Sequence, residues 1–363
     1  MTSTRPRGMR LSSHTAIGVA ATALALALAG CGSEASGGGG STVTLRLGFL
    51  PTLPQAPALI GIKNGVFAQD LGANVTLKTQ TFNAGPAEIT ALIAGSLDAA
   101  FVGPSPAITA FVKSKGAALR IVAGATSGGA GLVVRNDENI ASPEQLRGKT
   151  LATPQLGNTQ DVALRTYLRA HGLTTDPQGG GDVKVVPTDN PTTLQLFKQK
   201  QLDGAWVPEP FLSRLILEDG GALVVDEATL WPAGKFPSTV LVVSTSFLAD
   251  HPDEVKALVQ GDLDAIAILD GQAADAKVAV NDQLEVLTQK KLSTAVLDAA
   301  WGRLTFTPDP LAASAQKSAD DAKAAGLLAG DVQLKGLFDL RILNDLLRSR
   351  SEPAVDSAGL GQN

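Results

Sequence analysis

With 363 residues, 44% of them hydrophobic, the chain has enough apolar material for two compact lobes or domains. Only 4% are aromatic, so the core must be built mostly from Ala, Val and Leu. A formal charge of −5 excludes an electrostatic footprint for nucleic acid and any charge-driven hold on anionic lipid.

The first thirty residues read as an export signal. Arg5, Arg7 and Arg10 precede an apolar run, residues 16–29, that closes on Leu28-Ala29-Gly30-Cys31. The run is too short to span a bilayer, which takes about 20 apolar residues as helix. A cysteine directly after Leu-Ala-Gly resembles a bacterial lipoprotein signal, so residues 1–30 are expected to be removed and Cys31 acylated. Cys31 is the only cysteine and has no disulfide or thiolate partner, which leaves lipidation as its role. The expected location is the cell envelope, on the outer face of the cytoplasmic membrane. Residues 31–42, rich in Gly and Ser, form a flexible tether reaching roughly 20 Å at random-coil scale.

From residue 43 strands and helices alternate. Residues 43–50 read as a strand, 56–70 as one helix, 74–80 as a strand and 85–94 as a helix. Strand, helix and strand follow at 99–102, 106–114 and 119–125. A second set has strands at 132–134, 150–152, 183–186, 204–207 and 222–225, with helices at 161–170, 192–199 and 210–217. The last strand is 240–244, and 252–347 is helical in pattern, without strands of its own. Alternation of this kind implies parallel sheets with covered faces. The simplest α/β architecture has two lobes, the chain crossing near 126–129 and returning near 237–243. This gives lobe 1 as 43–127 plus 238–363 and lobe 2 as 128–237. Ligands of open α/β sheets bind at the carboxyl ends of the strands, so facing lobes should share a cleft.

Little points to catalysis. His14 lies in the leader, His171 precedes a glycine at a helix end, and His251 precedes Pro252. The run GPSPA at 103–107 only faintly echoes a nucleophile elbow, and no histidine accompanies it. No phosphate loop, dinucleotide fingerprint or metal-ligand spacing is present. No catalytic residue, metal or cofactor is therefore expected.

Binding is better supported. Four segments follow strands and start helices, where free N–H groups favour polar or anionic ligands. They offer Pro51, Thr52 and Gln55; Phe82, Asn83 and Ala84; Gly103, Pro104 and Ser105; and Gln155, Asn158 and Thr159. Thr126 and Ser127 join them at the first crossing. Trp206 and Glu209 close a further strand, the ring as an apolar wall and the acid as partner for a ligand donor; core packing and helix capping are the competing roles.

Six runs carry a family resemblance: LGFLP at 47–51, ALIGIKNGVF at 58–67, ALIAGSLDAAFVG at 91–103, LRGKTLA at 146–152, LDGAWVPEP at 202–210 and FLADHP at 247–252. In this order they resemble the extracytoplasmic solute-binding proteins of ABC importers, in the group for taurine, alkanesulfonates, nitrate and thiamine-pyrimidine precursors. The resemblance implies a two-lobed, type II-like periplasmic-binding-protein fold that closes on its ligand. It implies a monomeric receptor delivering a small organic anion, such as an aliphatic sulfonate, to a permease and its ATPase. Nitrate, taurine or a pyrimidine precursor are alternative ligands, and enzymes on the same scaffold are the alternative from another class.

Overall fold

A computed structural model of the chain describes residues 42–363. The leader, Cys31 and the tether up to residue 41 lie outside the described residues. The first run of elements is β1 (Val43–Phe49), α1 (Ala56–Lys63), α2 (Val66–Leu71), β2 (Val75–Thr81), α3 (Gly85–Ile93), β3 (Ala99–Val102), α4 (Pro104–Lys113) and β4 (Leu119–Gly128). A second run holds β5 (Ala130–Arg135), β6 (Thr150–Thr153), α5 (Thr159–Ala170), β7 (Lys184–Pro187), α6 (Asn190–Lys198), β8 (Gly204–Pro208), α7 (Phe211–Leu217) and β9 (Gly221–Asp226). The remainder is β10 (Pro237–Ser244), α8 (Thr245–Asp250), α9 (Pro252–Gly271), α10 (Ala273–Thr288), α11 (Thr294–Trp301), β11 (Leu304–Phe306), α12 (Ala315–Ala324), β12 (Phe338–Asp339), α13 (Arg341–Ser349) and β13 (Gly361–Gln362).

The strands form two sheets, which makes the fold two-lobed. One runs β13-β12-β4-β10-β3-β1-β2, with β11 also paired to β4; the other runs β7-β6-β8-β5-β9. Within the first, β1 is parallel to β2 and β3, while β10 returns antiparallel between β3 and β4. In the second, β6 is parallel to β7 and β8, and β5 is antiparallel to β8 and β9. Because helices cover both faces of the second sheet, alternate residues of its strands serve two cores. Leu132, Val134 and Trp206 pack with Leu164 and Tyr167 on one side, whereas Val133, Ala205 and Val207 pack with Phe197 and Leu212 on the other.

The expected single helix over 56–70 is broken. Gly65 takes a left-handed φ of 71°, which lets α1 stop and α2 restart at a new angle so that Phe67 reaches the core. The C-terminal third, expected to lack strands, contributes β11, β12 and β13 to the first sheet. Each is two or three residues long, too short to leave an alternation in the sequence.

The first crossing between the lobes is made by strands rather than a loop. β4 passes almost without interruption into β5, through Gly128 and Gly129 at φ 88° and 76°. Side chains there would also collide: a β-carbon on Gly129 would lie 2.2 Å from Leu304 Cδ2, and one on Gly128 2.4 Å from the Arg303 carbonyl oxygen. The return runs alongside, with Gly128 N–H donating to the Phe236 carbonyl and Phe236 N–H to Ser127 Oγ. Among the described residues no helix is long and apolar enough to cross a membrane. Nor, among them, do three or more His, Cys, Asp or Glu side chains gather as they would around a metal ion.

Candidate functional site

Three helices aim their N-termini at the line where the lobes meet. β3 turns at Gly103 straight into α4, the loop after β6 reaches α5 through Asn158, and β7 leads into α6 through Asp189. Asp189 caps its own helix by accepting from Thr192 N–H, but Gly103 and Asn158 provide no such cap to theirs. Free N–H groups at the start of α5, and that of Ser105 between the two prolines that open α4, leave positive potential there. The loop from β6 to α5 is held in shape from beneath. Asp161, fully buried, accepts from Thr153 Oγ1 at 2.9 Å, Gly157 N–H at 2.9 Å and Arg165 Nε at 3.0 Å.

Between these helix starts lies a cavity of about 30 Å³. Thr52 and Gln55 reach it from the turn after β1, Asn158, Thr159 and Gln160 from α5, Asn190 from α6, and Ser238 and Thr239 from β10. No charged side chain lines it. Four of its oxygens (Gln55 Oε1, Thr159 Oγ1, Asn190 Oδ1 and Thr239 Oγ1) are buried without a hydrogen-bond partner in the protein, as is Thr126 Oγ1 beside Thr239 in the sheet. An unmet buried polar group costs about 1–3 kcal/mol, so a cluster of them is stable only if something polar meets it. The Thr159 and Thr239 hydroxyls can donate as well as accept, and Gln55 and Asn190 can donate through their NH2 groups while their amide oxygens only accept, so with the helix N-termini the cavity is a neutral polar receptacle for an oxygen-bearing group.

The lobes touch closely here. Asn158 Oδ1 accepts from Gly85 N–H at 3.3 Å, and a β-carbon on Gly103 would sit 2.3 Å from Thr159 Oγ1. The space above Gly103 admits Thr159 of the facing lobe. A neck of about 20 Å³ adjoins, lined by Pro104, Ser105, Thr159, Phe236 and Pro237 among others.

Of the candidates from sequence, Thr52, Gln55, Gly103, Asn158 and Thr159 meet at the cavity, and Pro104 and Ser105 at the neck. Thr126 lies in β4, its hydroxyl unpaired. The others stand elsewhere. Pro51 borders a separate groove with α6 and α7. Phe82 packs on the first core, Asn83 is exposed, and Ala84 begins α3 with no side-chain hydrogen bond to cap it. Gln155 serves through its carbonyl, accepting from Asn158 N–H. Ser127 is engaged by Phe236 N–H.

Trp206 requires a firmer correction. Its ring is fully buried against Tyr167, at 5.7 Å between centroids, and its Nε1 donates to Glu227 at 2.8 Å. The even positions of β8 face α5, so the ring fills the second lobe rather than walling the cleft. Glu209 does not face the cavity either. Its carboxylate accepts from Ser213 N–H at 3.0 Å, Ser213 Oγ at 2.8 Å and Arg303 Nη1 at 3.2 Å. Burial pushes its carboxyl up to about 7 against the pull of Ser213 and Arg303. Its main chain bridges the lobes, N–H to the Gly129 carbonyl and carbonyl to Leu53 N–H. Glu209 ties the two lobes together.

Sequence reasoning missed Gln160, Asn190, Ser238 and Thr239. Asn190 sits at a strand-to-helix junction of the same kind as the four segments singled out, in the run Asp189-Asn190-Pro191, and was within reach. Ser238 and Thr239 begin the returning strand, and only the fold brings that strand beside β3.

Known proteins share this architecture. The sequence pattern of the NMT1-like family matches residues 38–281. Over 266 residues the chain is 27% identical to a protein of Brucella abortus (strain 2308) named as a binding protein, the alignment covering 69% of this chain and 77% of that one. Its structure is similar to that of the alkanesulfonate-binding protein of Xanthomonas axonopodis pv. citri bound to MOPS, with TM-score 0.67, 20% identity and coverage of 80% and 96%. It is likewise similar to the periplasmic nitrate-binding protein of Synechocystis PCC 6803, with TM-score 0.68, 16% identity and coverage of 80% and 83%. These likenesses establish the periplasmic-binding-protein fold.

Proposed function

The chain belongs to the NMT1-like family, and we propose that it is the substrate-binding component of an ABC importer, holding the oxyanion group of a small solute between its lobes. The observation that carries this reading is the pair of unpartnered buried hydroxyls, Thr159 and Thr239, where the uncapped N-termini of α4 and α5 converge. Hydroxyls, amides and helix-terminal N–H groups suit an anion without a side-chain cation. The two structural relatives, one named for alkanesulfonate and one for nitrate, bear on the same ligand chemistry. An aliphatic sulfonate remains the favoured solute, now for its head group alone, since Trp206 offers no wall for its body.

Residues 43–127 with 238–363 and residues 128–237 would be the two bodies that swing, about the strands at Gly128–Gly129 and Phe236–Pro237. A cavity of about 30 Å³ holds little more than a water molecule, so the lobes must part for a solute to enter. The protein would act as a monomer, acylated at Cys31, on the outer face of the cytoplasmic membrane, passing its solute to a permease and ATPase. Loss of fatty-acid labelling in Cys31→Ala would test the anchor.

Isothermal titration with methanesulfonate, taurine, nitrate and bicarbonate tests the site. Binding of at least one, weakened about tenfold or more by Thr239→Val, is expected from loss of a charge-assisted hydrogen bond. No binding by any oxyanion would remove this reading.

A further inference from the structure

Beyond the neck lies a larger chamber of about 210 Å³, whose lining includes Tyr167, His171, Glu227, Trp231, Lys317 and Asp321. It shares Glu227, Trp231 and Asp321 with the neck, which in turn shares Thr159 with the polar cavity. We propose that this chamber binds a small organic ammonium ion, with the face of Trp231 as the cation-accepting surface.

A cation already occupies that face. Lys317 Nζ lies 4.4 Å from the Trp231 ring centroid and donates to Asp321 at 2.6 Å. This is the arrangement an external ammonium would adopt, a cation over an indole with a carboxylate at its side. The ring is braced for the task, since Phe236 stacks on it at an interplanar angle of 16°. Glu227 is buried at its edge and already accepts from the Trp206 indole. Tyr167 and His171, 4.4 Å apart between ring centroids, form a second aromatic wall. The volume suits one six-membered ring with a short arm, since an apolar cavity of about 150 Å³ accommodates benzene. Lys317 is itself exposed, on a flexible four-carbon stem, so it can leave the ring when a better-fitting cation arrives.

The ammonium site does not depend on the oxyanion reading, because the two cavities have different linings and are probed by different ligands. Benzylamine and its uncharged analogue benzyl alcohol, titrated calorimetrically into the full chain, separate charge from shape. Benzylamine is expected to bind about tenfold tighter than the alcohol, as a desolvated cation–π contact predicts. Lys317→Ala vacates the ring and is expected to tighten benzylamine about threefold or more, a gain that a merely structural lysine would not give. Trp231→Leu is expected to weaken it about tenfold. Equal binding of amine and alcohol, no saturation of wild type and Lys317→Ala up to roughly 10 mM, or looser binding in Lys317→Ala would overturn the proposal. Lys317 lies on the surface, so that variant decides the question even if Trp231→Leu fails to fold.

Discussion

Gly103 and Thr159 belong to opposite lobes, and a β-carbon on the first would lie 2.3 Å from Oγ1 of the second. No real β-carbon tolerates that distance, and Gly103 has an ordinary extended backbone at φ −65°. Glycine is needed here for space alone. Gly103→Ala should therefore hold the lobes apart at the mouth of the cavity. A larger radius of gyration in solution scattering is expected, with solute affinity reduced about tenfold as the closed population falls. Adding Thr159→Ala should restore the compact shape. An unchanged radius in the single variant would show that the contact does not limit closure.

Trp206→Ala should act on stability rather than on binding. Emptying so large a buried site typically costs about 3–5 kcal/mol, and this substitution also strips Glu227 of a donor. A lower denaturation midpoint with unchanged solute affinity in the folded protein is expected. Weaker binding without loss of stability would return the ring to the cleft.

Glu227 makes the protein sensitive to pH. Burial raises its carboxyl from 4.5 to about 7, against the pull of Trp206 and Trp231. Because the folded value lies above the unfolded one, its contribution is fully present below pH 4.5 and is lost as pH rises through 7. A shift of that size corresponds to about 3 kcal/mol. Glu88 and Asp262, buried with both oxygens unpaired, are raised in the same direction by burial. Melting temperature should fall between pH 4.5 and 7.5, and less steeply in Glu227→Gln. Parallel slopes in the two proteins would refute the assignment.

Asp161 and Arg165 form a buried pair at 3.0 Å beneath the α5 loop. Removing one partner of such a pair strands the other and commonly costs about 3–5 kcal/mol. Asp161→Ala also frees Thr153 Oγ1 and Gly157 N–H, which the carboxylate holds. Both stability and solute binding are expected to fall, read from chemical denaturation and from titration of the folded fraction. Intact binding would mean that the loop keeps its shape without the carboxylate.

Sequence alone determined what depends on neighbours along the chain. The alternation from Val43 to Asp226 is set by local periodicity, and each strand-to-helix turn carries its own signature of Gly, Pro, Ser, Thr or Asn. Thr52, Gln55, Gly103, Asn158 and Thr159 were legible because such turns lie at strand ends wherever the strands go. The tertiary structure decided what depends on partners far away in sequence. Both faces of β8 are covered, so no local pattern says whether Trp206 looks toward a cleft or a core; the register with Leu132 on β5 says so. Arg303 claims Glu209 across 94 positions, and Thr239 reaches the cavity only because β10 returns between β3 and β4. Short strands such as β12 are held by the sheet they join, since two residues bury too little to hold an extended form by themselves.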